Sequence, residues 1–262
     1  MKFLFLVLFS VVITAGVSQH CQATETPVIG VGSYRISSSA DDAESDELDA
    51  RFTATSSDLE IPREGSDLQV VGLRFRDVEI PRNALITQSS ITFEIDSISR
   101  AEIADYDNPI DIIIVAENLG SPRLSFSSSP GREPEDRLAN ATKKTVSWWT
   151  SEFPDVNEKL VTSDLSPVLQ ELVSDARWDP TGTDVVFMLR QNPLALPEHQ
   201  GSREVESYNG ESSAAPELNF SYQERTLPEN FTIPAIPFLV TIFAVILFLA
   251  LGTRQQARDN RA

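Results

Sequence analysis

Residues 90–95 read Ser-Ile-Thr-Phe-Glu-Ile. Ile91, Phe93 and Ile95 share one face of an extended chain, and Thr92 and Glu94 share the other, because successive strand side chains alternate. A strand with one apolar and one polar face belongs at a core boundary. The same grammar spreads outward in both directions. Residues 68–75 (LQVVGLRF) are β-branched and aromatic, and residues 110–115 are a short continuous apolar run, the pattern of a strand covered on both faces. Residues 28–37, 185–189 and 218–222 add further strands, and 145–149 and 204–208 give weaker ones. Gly, Pro, Ser and Asp clusters separate them, as in an antiparallel sandwich rather than a βαβ fold.

One helix interrupts the strands. Leu165, Val168, Leu169, Leu172 and Val173 recur at helical spacing and form a single apolar stripe. Ser163 or Asp164 stands at its start, Pro167 fits its first turn, and an end near Arg177 is expected. Residues 120–140, rich in Ser, Pro and Arg, read as a long exposed loop. The sequence therefore predicts a mostly β chain, a jelly-roll-like antiparallel β-sandwich with one amphipathic helix, plus a C-terminal transmembrane helix.

The two ends set the address. Lys2 precedes the apolar run 3–12, and small and polar residues follow to Ala23. That order is a secretory signal over residues 1–23. Residues 24–223 form the exported β-sandwich domain and 224–232 a polar stalk. Residues 233–251 carry no charge; about 19 residues at ~1.5 Å each span roughly 28 Å, close to the ~30 Å apolar thickness of a bilayer. Arg254, Arg258 and Arg261 follow, so the 252–262 tail is cytoplasmic and the domain is extracellular or periplasmic. The expected location is the cell membrane, single-pass, held by the C-terminal helix.

The chain of 262 residues carries a net charge of −18. Setting aside the single positive charge of the signal (Lys2) and the net two of the tail leaves −21 on the exported part. Such a surface repels nucleic acid, which needs a basic face. The one cysteine, Cys21, lies in the signal, so no intrachain disulfide and no cysteine zinc cluster can form.

Several stretches resemble a known family. Ser37-Ser38-Ser39-Ala40-Asp41-Asp42-Ala43-Glu44, Ser56-Ser57-Asp58-Leu59-Glu60, Val71-Gly72-Leu73-Arg74-Phe75, Val78 to Pro81, Ala84 to Phe93, Ser202-Arg203, Ser207-Tyr208-Asn209-Gly210 and Ala215-Pro216-Glu217-Leu218 carry the likeness. Together they resemble prokaryotic cell-surface jelly-roll domains of the "SSDDAEE…SSDLEL…VGLRF" type, similar to carbohydrate-binding-like (DNRLRE-type) modules. The resemblance covers roughly residues 30–223. Ser45 stands where the pattern has Glu, and Asn83 where it has a small residue or Gly. The resemblance implies a jelly roll and an accessory or adhesive module rather than an enzyme.

Two constellations are candidates for binding. Asp41, Asp42, Glu44, Asp58 and Glu60 offer the oxygen donors that calcium, as a structural ion, requires; the alternative is a solvated acidic loop. Trp148, Trp149 and Trp178 offer an aromatic platform on which a sugar ring stacks, and Trp148 and Trp149, as neighbours on a strand, point one inward and one outward; the alternative is that all three are core or edge packing under the helix. Catalysis has little material. His199 is the only histidine after the signal, and no G-x-S-x-G elbow occurs. The reading is a non-enzymatic, membrane-anchored cell-surface binding or adhesion module, with glycan or a surface protein as partner. An exported polysaccharide hydrolase and a structural surface-layer component released by a sortase-like enzyme stand as alternatives.

Overall fold

The computed structural model describes residues 28–47, 51–98, 108–120 and 123–225. The expected signal with Cys21, the expected stalk beyond residue 225, the apolar segment 233–251 and the basic tail lie outside the described residues. No helix among the described residues is long and apolar enough to cross a membrane.

The first half of the chain gives β1 (Ile29–Arg35), β2 (Asp42–Asp46), β3 (Phe52–Thr53), β4 (Asp58–Ile61), β5 (Arg63–Glu64), β6 (Asp67–Val78) and β7 (Leu85–Ser97). The second gives β8 (Ile110–Ala116), α1 (Pro134–Arg137), β9 (Val146–Thr150), β10 (Lys159–Val161), α2 (Ser166–Val173), β11 (Thr183–Gln191), β12 (Arg203–Glu206) and β13 (Glu217–Gln223). They assemble into two antiparallel sheets. One runs β1-β13-β7-β12-β4, with β10 also on β7; the other runs β3-β2-β6-β11-β8-β9, with β5 on β6. The architecture is mostly β and sandwich-like.

β7 behaves as its alternation requires: Ile91, Phe93 and Ile95 are buried between the sheets. The Phe93 ring stacks on Trp148 of β9 at 5.9 Å between centroids, tying one sheet to the other. Phe75 and Phe187 meet edge to face in the same core. The expected helix forms as α2, ending at Val173 rather than near Arg177; hydrogen-bonded turns continue through Ser174, Asp175 and Trp178. Its whole apolar stripe is buried. The Asp164 carboxylate accepts the Ser166 N–H at 3.0 Å and the Ser89 N–H of β7 at 3.0 Å, so one side chain both starts the helix and docks it on the sheet.

A second, smaller core lies outside the β3–β9 sheet. Ala43, Val70, Val115, Val186 and Met188 are buried there beneath Phe126. The cover is the segment read from sequence as an exposed loop. Phe126 and Pro134 stand in the space that a side chain on Gly72 would fill. Arg137 is buried, 3.2 Å from Glu117 and 4.4 Å above the Phe126 ring, and donates to the Leu124 and Ser125 carbonyls. A polar composition hid this role because Arg137 is accommodated by Glu117, the Phe126 ring and main-chain carbonyls rather than by apolar filler.

The connections fix which strand ends lie together. Residues 79–84 lead from Val78 of β6 directly into Leu85 of β7. Leu85 pairs with Gln223, the last residue of β13, and Val78 pairs with Thr183, the first of β11. The chain therefore leaves the domain at this end. At the opposite end lie Ser97, Gln191 and the pair Ile110–Thr150.

Candidate functional site

Trp148 and Trp149 separate across the sheet, as a strand demands. Trp148 is in the core. Trp149 is 50% exposed on the outer face of β9. Directly opposite it in the register is Asp111 of β8. The Asp111 carboxylate accepts the Asn192 amide at 3.2 and 3.1 Å and the Ser147 hydroxyl at 3.4 Å, so both its oxygens are held. The His199 ring meets the Trp149 ring edge to face at 5.8 Å. His199 comes from the segment between β11 and β12, which also presents Leu194 at 85% exposure and Leu196 at 52%.

That segment is anchored at its base. Gln200 bridges to Ile110, and the Gly201 N–H donates to the Pro109 carbonyl at 2.9 Å. Arg63 donates to Gln191 at 3.0 Å and to Gln200 at 3.4 Å. Buried Arg203 donates to the carbonyls of Glu152, Asn108 and Ser202 and lies 4.4 Å above the Phe153 ring. The result is an exposed indole framed by an imidazole and a fixed acid–amide pair, on a supported strand. Sequence reasoning found Trp149 and missed Asp111, Asn192 and His199 as its neighbours. The only local signal for His199 was its rarity; no spacing links residue 199 to residue 149.

The five acidic candidates are distributed otherwise. Asp41 and Asp42 point to opposite sides of the chain. Asp41 is buried in an ion pair with Arg74, which also holds Asp184 at 2.6 Å. Asp42 and Glu44 pair in register with Leu73 and Val71 and therefore face the space between the sheets, at its open edge. There they act as hydrogen-bond acceptors. The Asp42 carboxylate takes the Tyr208 N–H at 2.7 Å, and the Glu44 carboxylate takes the Glu60 N–H. Each bond crosses from β2 to the other sheet's edge. Burial pushes the Asp42 carboxyl up to about 6, against the lowering effect of its backbone donors. Burial also raises Glu44 well above the usual carboxylate range, and Glu60 beside it adds to the rise.

Asp58 and Glu60 lie on the outer face of β4. Glu206 of β12 is directly opposite Asp58, and Glu204 directly opposite Glu60. β12 in turn runs beside β7, where Asp96 points to the same side. Three adjacent strands thus bring Asp58, Glu60, Glu204, Glu206 and Asp96 onto one surface. Sequence reasoning placed only the first two here, because Glu204 and Glu206 come from a strand nearly 150 residues away. Among the described residues no three His, Cys, Asp or Glu side chains stand ready around a single metal position.

Comparison with protein-family models finds no match, and comparison with curated proteins finds none.

Proposed function

We propose that the chain is a non-enzymatic, membrane-anchored cell-surface binding module whose exported domain has jelly-roll topology and takes a glycan at Trp149. The observation that carries this reading is the half-exposed Trp149 ring, set against His199 above the Asp111–Asn192 pair. A flat apolar ring accepts the C–H face of a pyranose, and a held carboxylate and amide receive its hydroxyls. The resemblance to cell-surface jelly-roll domains supports the same class. The signal-like start and the uncharged 233–251 segment support display outside a membrane. The net charge of −18 favours neutral over anionic polysaccharides.

The test is binding of the detergent-solubilised full chain to an array of neutral and anionic glycans. Binding to a neutral glycan is expected, falling at least tenfold in Trp149→Ala with an unchanged circular dichroism spectrum. An array with no bound glycan, or equal binding by the variant, overturns the assignment of this face. Release of new reducing ends from a bound polysaccharide would replace the binding module with a hydrolase.

A further inference from the structure

At the end where the chain leaves the domain, a polar cleft of about 340 Å³ opens beside the β6–β11 pair. Most of the side chains that line it are engaged by the protein itself. The Asp184 carboxylate accepts Arg74 at 2.6 Å and the Asp77 N–H at 3.0 Å. Arg177 donates to Asp175 through Nε at 2.9 Å and Nη2 at 2.7 Å. The Thr183 hydroxyl accepts the Asp179 N–H and donates to the Asp179 carbonyl, and the Asp179 carboxylate accepts the Thr181 N–H and hydroxyl.

Two side chains in the cleft are left over. The Arg123 guanidinium makes no hydrogen bond or ion pair among the described residues, and its Nε and Nη1 are buried. The Asp77 carboxylate has no partner there either. A base and an acid thus line one cleft without joining each other. Both stand on left-handed backbone, at φ 41° and 51°, which residues with a side chain rarely adopt. Burial pulls the Arg123 guanidinium below its ordinary range, against the raising effect of Glu117 and Asp184 nearby. An arginine stays charged even so, and a shielded charged donor without an acceptor costs free energy that a bound oxyanion restores.

The complementary ligand carries an oxyanion and a cation on one short frame. A guanidinium fork suits phosphate oxygens, and a free carboxylate suits an ammonium. The place of the cleft selects among such zwitterions. Residues 226–232 alone separate the described domain from the proposed membrane segment, at most about 25 Å of extended chain. Upright strands therefore set the cleft against the headgroup layer. A zwitterionic headgroup has no net charge, so a chain of −18 does not repel it. Ethanolamine offers Asp77 three N–H donors, whereas the methylated nitrogen of choline offers none.

We infer that this cleft binds the headgroup of an ethanolamine phospholipid, Arg123 taking the phosphate and Asp77 the ammonium. The inference rests on the proposed membrane anchor, and the two fail separately. Failure of the full chain to float with vesicles refutes the anchor; failure of a water-soluble headgroup to bind refutes the cleft. For the second, the full chain in maltoside detergent is titrated with glycerophosphoethanolamine, glycerophosphocholine and inorganic phosphate, with binding read from phosphorus NMR line widths. Glycerophosphoethanolamine should bind at roughly millimolar affinity, as its size allows, and the other two at least tenfold more weakly. Arg123→Gln should abolish binding. Asp77→Asn, which suits left-handed backbone, should lower ethanolamine binding to the choline level. Arg190→Gln, at the other end of β11, should change nothing. Should Arg123→Gln fail to fold, Asp77→Asn decides. No bound glycerophosphoethanolamine, choline or phosphate bound as tightly, a preference that survives Asp77→Asn, or equal loss in Arg190→Gln overturns the site.

Discussion

At the scale of single residues, Trp148 and Trp149 show how a one-residue step divides structure from recognition. Trp148 stacks on Phe93 at an interplanar angle of 10° and is 2% exposed. Truncation to alanine removes that stack and leaves a cavity between the sheets. Trp148→Ala is therefore expected to cost about 3–5 kcal/mol. Trp149→Ala removes an exposed ring and its His199 contact, and a cost under about 1 kcal/mol follows. Urea unfolding of the two variants checks the contrast; similar midpoints would contradict the burial assigned to the pair. The alternation was legible in the sequence, since adjacent strand residues must face opposite ways. Which of the two faced inward was not legible, because that depends on where Phe93 and Ile112 of other strands arrive.

At the scale of elements, the contrast between β7 and β2 explains what pattern reading reaches. β7 announces itself because its inward positions are Ile91, Phe93 and Ile95. β2 reads Asp-Ala-Glu-Ser-Asp, and every one of its residues is buried. Apolar periodicity cannot find such a strand, since its inward positions serve as hydrogen-bond acceptors rather than hydrophobic filler. The same substitution of polar satisfaction for apolar burial hid the cover around Arg137, whereas β4 does turn Leu59 and Ile61 into the core between outward acidic residues. It also gives β2 a pH signature. The Asp42 carboxyl is raised to about 6 from its ordinary 3.8, chiefly by burial. The folded chain then holds a proton at this site that the unfolded chain lacks between those values. The associated stabilisation is complete below the unfolded value and is lost as pH rises through the folded one. Asp42→Asn keeps an oxygen for the Tyr208 N–H and cannot ionise. Relative to wild type it should gain about 1–3 kcal/mol at pH 8, and the gain should shrink toward pH 4. Melting curves of both proteins across that range test the sign. A gap that widens on acidification would show that Asp42 is held as a stabilised anion.

At the scale of the whole molecule, the two ends of the sandwich have different neighbours. The chain departs at Gln223, beside Ile29 and Leu85. Trp149, Asp111 and Asn192 sit at the opposite end, past the far end of β11. β7 alone runs 13 residues, and at ~3.3 Å per residue that is roughly 40 Å. With residues 233–251 as the proposed membrane segment, the Trp149 face stands about that far from the bilayer surface when the strands are upright. On the same proposal, the net negative charge of the chain opposes collapse onto anionic headgroups and so favours the upright orientation. Reconstituted in vesicles, the Trp149 emission should be quenched by acrylamide, a neutral solute the protein charge does not repel. Brominated lipid should leave it unchanged. Trp149→Phe supplies the difference spectrum that removes buried Trp148 and Trp178 from the signal. Quenching of the difference emission by brominated lipid would place the indole in the membrane surface. A ring buried there cannot stack on a sugar in solution, so this outcome would also withdraw the face from glycan binding.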